Sequence, residues 1–324
     1  MKKTIATAFI ALSIVGQASA SWTTFPLPST TSPFDNTTIA HLADGRYIYG
    51  HSGSLVRQDA FGSAAYSSFT SDPAGDYSFV TGQHLGTGGW AAPYPIYSYD
   101  AGNLSNAFSS ISTNYQSYAA LDYDASSLLV VGANGTGGRS ALGHLTTSGT
   151  YTQLIADISN FSSGFAMDSL GNVYIGDNDD QNIYRFTASQ IAASVAGTSL
   201  NMLDGQFVAN LGVTGSIAVD SATNMLYAAG YQTSGIRVFD MTSAQTDTIV
   251  PGASNTNYQV HSFSNGTDNY IGWINRSGWN GGDTVTYGYS TALQLAIPEP
   301  STNVLFALGG LLVLTPFVRK CARS

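Results

Sequence analysis

The sequence predicts an all-β fold, and more specifically a β-propeller of six blades. Two observations support this. Between residues 21 and 297 no helical periodicity holds for long, and short β-rich runs alternate with Gly, Asn, Asp and Ser turns. A strand–turn–strand unit also recurs there at intervals close to the ~40–50 residues of a propeller blade. Seven smaller blades, a pair of β-sandwiches and a β-solenoid are the alternatives.

Two copies of the unit are the clearest. One begins at Gly164 (GFAMDSLGNVYIGDNDDQNIYRF) and the other at Gly215 (GSIAVDSATNMLYAAGYQTSGIRVF). In both, a first strand ends in aspartate (Asp168 and Asp220), and a polar turn and two further strands follow. A catalytic residue is normally unique, whereas a turn-forming aspartate recurs. We therefore predict that Asp168 and Asp220 are structural.

Weaker copies begin at Thr38, Ala119 and Val260, and we expect a further unit within residues 76–112. The segment SWTTFPL, residues 21–27, is expected to close the ring as the outer strand of the last blade.

The turn from Asp168 to Tyr174 fits the pattern Asp–x–x–Gly–x–(Val/Ile)–Tyr, so the units resemble blades of the NHL/SMP-30-like propellers. Propellers of the SMP-30/lactonase type hold a metal at the central channel with a Glu, an Asn and an Asp. The only glutamate of this chain is Glu299, which lies outside the repeats. That metal site is therefore not carried over.

The first twenty residues predict a secretory signal peptide. Lys2 and Lys3 precede an apolar run over residues 5–15, and Ala-Ser-Ala at 18–20 is a small-residue cleavage pattern. The domain is then expected to cover residues 21–297, and the remaining segment, 298–324, is of a different kind.

Residues 301–318 are uncharged and mostly apolar. As a helix they extend roughly 27 Å, which is near the lower limit for crossing a bilayer. A basic tail, Arg319, Lys320 and Arg323, follows at once and is expected on the cytoplasmic side of the membrane.

Before this run stands Pro298-Glu299-Pro300-Ser301-Thr302. The motif, the apolar run and the basic tail together resemble the PEP-CTERM sorting signal of Gram-negative bacteria. The resemblance implies an exosortase-type processing enzyme as partner, attachment to the inner membrane during sorting, and then the cell surface or extracellular matrix. Two prolines keep the motif out of helices and sheet ladders, so it stays accessible to an enzyme.

Charge and cysteine content exclude several classes of protein. Residues 21–297 contain six arginines, no lysine and nineteen aspartates, a net charge of −13. Such a surface repels nucleic acid, which we exclude as a partner. The single cysteine, Cys321, lies in the basic tail, so no disulfide is expected in the domain.

One acidic cluster is a weak candidate for metal binding. Asp177, Asp179 and Asp180 offer the oxygen ligands that Ca²⁺ prefers. Their spacing begins like an EF-hand loop, but the loop lacks Gly at its sixth place and has Ala188 where Glu is needed at its twelfth. We predict a solvated hairpin turn, no metal site and no cofactor, with calcium as the alternative.

Aromatic residues cluster at 88–100 and 270–283, next to Asp, Asn and Arg. Exposed rings in such surroundings suit sugar stacking, so Trp90, Trp273 and Trp279 are candidate glycan contacts, with core packing as the alternative. No nucleophile elbow, P-loop or paired-histidine motif is present, and no catalytic residue is assigned. The sequence thus predicts an exported protein that acts by binding or scaffolding, with polysaccharide as the expected ligand. A secreted hydrolase or lyase acting on a polysaccharide or lactone is the alternative.

Overall fold

The structure is a computed structural model, and it describes thirteen stretches of the chain. They are residues 22–27, 38–51, 54–70, 77–79, 85–87, 94–100, 103–113, 116–133, 139–159, 164–230, 235–249, 257–276 and 284–291. The predicted signal peptide, the sorting motif Pro298–Thr302 and the basic tail lie outside the described residues. No helix within these stretches has the length and apolar character needed to cross a membrane.

Five sheets of four or five strands form five blades, and each sheet runs from an inner to an outer strand. Blade 1 contains β2 (Thr38–His41), β3 (Tyr47–His51), β4 (Ser54–Gln58) and β5 (Tyr66–Thr70). Blade 2 contains β10 (Gln116–Asp124), β11 (Ser127–Ala133), β12 (Ser140–Thr146), β13 (Tyr151–Ala156) and the short β17 (Leu200–Asn201). Blade 3 contains β14 (Phe165–Met167), β15 (Val173–Asp177), β16 (Asn182–Phe186) and β18 (Gln206–Asn210). Blade 4 contains β19 (Ser216–Asp220), β20 (Met225–Ala229), β21 (Ile236–Asp240) and β22 (Thr246–Ile249). Blade 5 contains β23 (Asn257–Ser264), β24 (Asn269–Arg276), β25 (Val285–Thr291) and β1 (Thr23–Leu27).

The propeller is thus confirmed, but the predicted number of six blades is wrong. Within residues 76–112, where a further unit was expected, two separate two-stranded ladders form. One joins β6 (Tyr77–Phe79) to β7 (Leu85–Thr87), and the other joins β8 (Tyr94–Asp100) to β9 (Asn103–Thr113). Gly and Pro in GTGGWAAP, residues 86–93, separate the two ladders in the sequence, and both residue types weaken a strand.

Blade 5 closes the ring with the two ends of the domain, as the sequence predicts. β1 pairs antiparallel with β25, from Thr23 opposite Tyr289 to Leu27 opposite Val285. Phe25 is buried at this seam, where its ring lies 6.2 Å from that of Tyr287.

The core lies between neighbouring blades, so the middle strands of a blade are covered on both faces. All five residues of β20 are buried, as are the first four of β15. Strands buried on both faces read as continuous apolar runs instead of alternating ones. This explains why the sequence shows turns more clearly than period-2 alternation.

One α-helix interrupts blade 3. Helix α1 (Ala188–Val195) follows β16 and begins with a capping box between Thr187 and Gln190. Its buried Ile191 packs into the core between blades 2 and 3. After the helix, β17 pairs in parallel with β13 of blade 2, and a 3₁₀ turn (Met202–Asp204) leads back to β18.

Candidate functional site

An aspartate ends the inner strand of each blade or lies in the turn that follows it; the strand end and turn together are here called the inner turn. The five are Asp44, Asp124, Asp168, Asp220 and Asp268. The only arginine in these five turns is Arg46, whose Nε lies 2.7 Å from Asp44 Oδ2.

Hydrogen bonds show that the carboxylates of the first four blades hold their own turns, whereas in blade 5 Asn265 Oδ1 accepts the turn N–H groups of Thr267 and Asp268. Asp168 Oδ1 accepts the backbone N–H groups of Leu170 and Asn172, each at 2.9 Å, and Oδ2 accepts the Asn172 amide and the Tyr174 hydroxyl. Asp220 Oδ1 accepts the N–H of Ala222 at 3.0 Å, and Oδ2 accepts the Thr223 hydroxyl. The structural role predicted for Asp168 and Asp220 is confirmed.

Hydrogen bonds of the same kind lower the pKa of the Asp124 carboxyl. The N–H and the hydroxyl of Ser126 donate to Asp124 Oδ1 at 2.8 and 2.9 Å, and hydrogen bonding, led by the Ser126 N–H, holds the pKa of Asp124 below its ordinary value. Hydrogen bonds to the charged form favour that form.

An open groove of about 400 Å³ lies where the inner turns of blades 3, 4 and 5 meet. It is lined by Met167, Ser169, Val219, Asp220, Ser221, Ala222, Ser262, Phe263, Asn269 and Tyr270. The N–H of Ser169 donates to Ser221 Oγ at 2.9 Å and ties blade 3 to blade 4 at the groove wall. The lining combines apolar side chains with hydroxyls, one amide and one carboxylate.

Tyr270 is the aromatic residue of the groove that is only partly buried. Its ring stacks on Phe263 at 5.2 Å with an interplanar angle of 19°. Its hydroxyl contacts Asn265 at 3.3 Å and Asp268 at 3.4 Å. Burial, and then the charge of Asp268, raise the pKa of Tyr270, so the phenol stays neutral. The ring is therefore held in one place before any ligand arrives.

Behind Phe263 an aromatic stack runs from the groove into the seam between blades 1 and 5. His41 stacks on Phe263 at 3.7 Å, and His261 stacks on His41 at 4.6 Å. His41 Nε2 lies 2.8 Å from the Tyr287 hydroxyl, while His261 Nε2 is buried with no hydrogen-bond partner among the described residues.

This seam lowers the basicity of both histidines. Burial, and then repulsion from His261, hold the pKa of His41 well below its ordinary value. Burial alone lowers the pKa of His261 to about 3. Both rings are consequently neutral at pH 7 and do not place a cation beside the groove.

The glycan contact predicted for Trp273 needs correction. Trp273 is 2% exposed and packs edge-on against Trp22 at 6.0 Å, so its ring is not available to a sugar. It also covers Gly288 of the next strand, where a Cβ would overlap the indole. Trp90 and Trp279 lie outside the described residues and stay predictions.

The acidic cluster in the turn between β15 and β16 of blade 3 forms hydrogen bonds and an ion pair with other groups of the protein. Asp177 Oδ1 accepts the N–H of Asp179 at 2.9 Å, and Asp179 Oδ2 lies 2.8 Å from Arg139 Nη1. Asp180 contributes its backbone carbonyl to Asn210. Within the described stretches, no three His, Cys, Asp or Glu residues gather as metal ligands.

The sequence prediction singled out the stretch 270–283 but not Tyr270, which the structure places in the lining of the groove. Tyr270 is three positions before Trp273 and points to the groove side of the blade, as its place in the lining shows. A position at the start of β24, directly after a polar turn, is the signal that could have found it. The approach of His41 and His261, from opposite ends of the domain, had no local signal.

Comparison with known proteins supports the fold alone. No protein-family model matches the chain, and no curated protein matches it in sequence. Among solved structures, it is similar to regucalcin, a calcium-binding protein from Agrobacterium tumefaciens (11% identity, TM-score 0.52, 83% of this chain and 92% of that one). It is also similar to the gluconolactonase XC5397 from Xanthomonas campestris (12%, 0.53, 82% and 88%). A third similar structure is the β-propeller domain of Cps50 (Swd1) from Myceliophteria thermophila (8%, 0.55, 82% and 98%).

Proposed function

We propose that this chain is an exported β-propeller of the cell surface or extracellular matrix that binds polysaccharide in the groove between blades 3, 4 and 5. The groove is the observation that carries the proposal. A half-buried, fixed tyrosine ring stands there beside hydroxyl, amide and carboxylate groups. A sugar has apolar C–H faces and hydroxyl edges, and it matches such a combination of surfaces.

Fixation of the ring favours binding as well. Phe263 supports one face of Tyr270, and two polar neighbours hold its hydroxyl. A side chain that is ordered before binding loses less conformational entropy when the ligand arrives.

Titration of the full-length chain with neutral oligosaccharides tests this proposal. The chain should be held in a non-ionic detergent without a sugar headgroup, so that the detergent does not compete. Tyr270→Ala should weaken binding about 3- to 10-fold, the worth of one aromatic contact, while Tyr270→Phe retains it. Tyr66→Ala, which removes a 40% exposed ring from the outer strand of blade 1, is the matched control. Equal affinity of parent and Tyr270→Ala would contradict the proposal.

Sorting is the second part of the proposal and rests on the sequence of the ends. An exosortase-type enzyme at the inner membrane acts on Pro298-Glu299-Pro300, and residues 301–318 attach the chain there. Replacing the three motif residues by Ala should leave transport across the inner membrane intact and retain the protein at that membrane. Normal amounts of the variant at the cell surface would refute this part alone.

A hydrolase or lyase acting on a polysaccharide or lactone is the second candidate. The observation that favours it is that the groove contains two groups able to transfer protons, the Asp220 carboxylate and the Tyr270 phenol. Release of new reducing ends or lactone opening, lost in Tyr270→Phe, would establish this candidate; binding without turnover supports the first.

A further inference from the structure

The groove is surrounded by carboxylates that lack cationic partners. Asp220 is part of the lining. Asp268 and Asp168 each directly precede a lining residue, Asn269 and Ser169. None of these three has an ion-pair partner among the described residues.

Asp220 is the innermost of the three, being only 4% exposed. Its hydrogen bonds come from the backbone of Ala222 and the hydroxyl of Thr223, which are neutral donors. These donors occupy one acceptor position on each carboxylate oxygen, but they bring no positive charge to it. A poorly solvated carboxylate is stabilised strongly by a nearby cation.

Among the described residues no arginine belongs to the lining of the groove, and the nearest cationic influence shown is that of Arg185 on Tyr174, whose hydroxyl donates to Asp168. The inner turns of blades 3, 4 and 5 contain no arginine, and Arg46 of blade 1 is already paired with Asp44. Residues 21–297 contain no lysine at all. Apolar walls formed by Met167, Val219 and Phe263 keep the local dielectric low, which strengthens the negative potential inside the groove.

Tyr270 restricts which cations fit. A cation beside its ring gains a cation–π contact, and a flat apolar face stacks on it. A metal ion needs several oxygen ligands gathered at one point, and within the described stretches no three His, Cys, Asp or Glu residues gather in that way. A uronic acid would be repelled, and a neutral sugar would leave the carboxylates without a counter-charge.

We infer that the groove selects saccharides bearing a protonated amine, as in the glucosamine units of a polymer that is not N-acetylated. The amine meets the field of Asp220 and Asp268, and the sugar ring lies on Tyr270. This inference rests on the proposed function, because it specifies which polysaccharide the groove takes.

Calorimetric titration of the full-length chain with glucosamine hexamer and with N-acetylglucosamine hexamer, at pH 6, tests the inference. The amine-bearing hexamer should bind about tenfold more tightly at low salt, the scale of one charge-assisted hydrogen bond. At 1 M salt, where the screening length is about 3 Å, the preference should largely disappear.

Two single substitutions locate the effect. Asp268→Asn, which keeps an acceptor for the Tyr270 hydroxyl, should reduce the preference about threefold, since one charge at the groove is lost. Asp44→Asn removes the same charge from the inner turn of blade 1 and should leave the preference unchanged. Equal affinity for both hexamers would overturn the inference while leaving the proposed function intact. Absence of binding by either hexamer would also overturn the inference, and the titration with neutral oligosaccharides would then decide the proposed function separately.

Discussion

At the scale of single residues, aspartate has two different uses in this propeller. The inner-turn carboxylates, such as Asp168, collect hydrogen bonds from their own turn, whereas Asp179 at the opposite end of β15 forms a partly exposed ion pair with Arg139. Removing the first kind leaves donors without an acceptor, whereas removing the second ends an ion pair whose two members are already partly exposed to water. An inner-turn aspartate should therefore contribute more to the free energy of unfolding than Asp179 does.

We expect Asp168→Ala to lower the free energy of unfolding by about 3 kcal/mol, because a charged acceptor of four hydrogen bonds is lost. Asp179→Ala, the control, should cost no more than about 1 kcal/mol, as exposed ion pairs do. Urea unfolding of both variants measures the difference. Similar losses in the two would show that the turn does not depend on its aspartate.

Residue roles were predictable where they depend on neighbours in the sequence. The role of Asp168 in its turn could be predicted, because its hydrogen-bond partners lie within six positions of it in the sequence. Burial of Trp273 could not be predicted, because one of its partners, Trp22, comes from the other end of the domain. The groove combines Asp220 with Tyr270 from another blade, and no local pattern encodes such a meeting.

At the scale of elements, β1 is the strand on which ring closure depends. Phe25 in its centre is buried against Tyr287 and Tyr289, while the preceding Thr24 is exposed. One strand therefore offers a buried and an exposed position next to each other.

Phe25→Ala should destabilise the domain by about 3–5 kcal/mol, the usual cost of truncating a buried aromatic residue. Thr24→Ala should change stability by less than about 0.5 kcal/mol, since its side chain is exposed. Thermal unfolding followed by circular dichroism distinguishes the two. If the Phe25 variant melted with the parent, β1 would be dispensable for closure.

Elements were predictable to different degrees. The strands that flank Asp168 and Asp220 follow from turn chemistry, and the N-terminal closing strand follows from the requirement that a propeller close its ring. Helix α1 was missed, although Thr187 and Gln190 form a capping box that is visible in the sequence. The blade number was wrong because spacing alone does not show whether neighbouring ladders, here β6–β7 and β8–β9, join into one sheet.

At the scale of the whole molecule, the histidine pair between blades 1 and 5 makes stability depend on pH. His41 and His261 have folded-state pKa values below the ordinary 6.5. Besides each other, the two histidines face the phenol of Tyr287 and the ring of Phe263, neither of which is negative at neutral pH. At mildly acidic pH the two histidines are therefore protonated in the unfolded chain but remain neutral in the folded chain.

The free energy of unfolding should fall as pH drops from about 6.5 towards 4, by up to about 1.4 kcal/mol per unit for each histidine. Aspartates with lowered pKa, such as Asp124 and Asp240, reduce stability progressively below about pH 5, so the interval from pH 6.5 to 5 reports on the histidines. In the His41→Gln/His261→Gln double variant the slope above about pH 5 should be nearly flat. Urea unfolding at a series of pH values measures it, and an unchanged slope in the double variant would rule out the pair as its source.

The pairing of β1 with β25 has a mechanical consequence. Because Thr23 lies opposite Tyr289, the chain enters the ring beside the place where it leaves it. Tension on the chain after Thr291 pulls β25 along its own axis, between β24 on one side and β1 on the other. The hydrogen bonds of both ladders then resist together in shear, instead of opening one at a time from an edge. If the propeller is attached through the chain that follows β25, the pulling force acts on blade 5, which β1 completes.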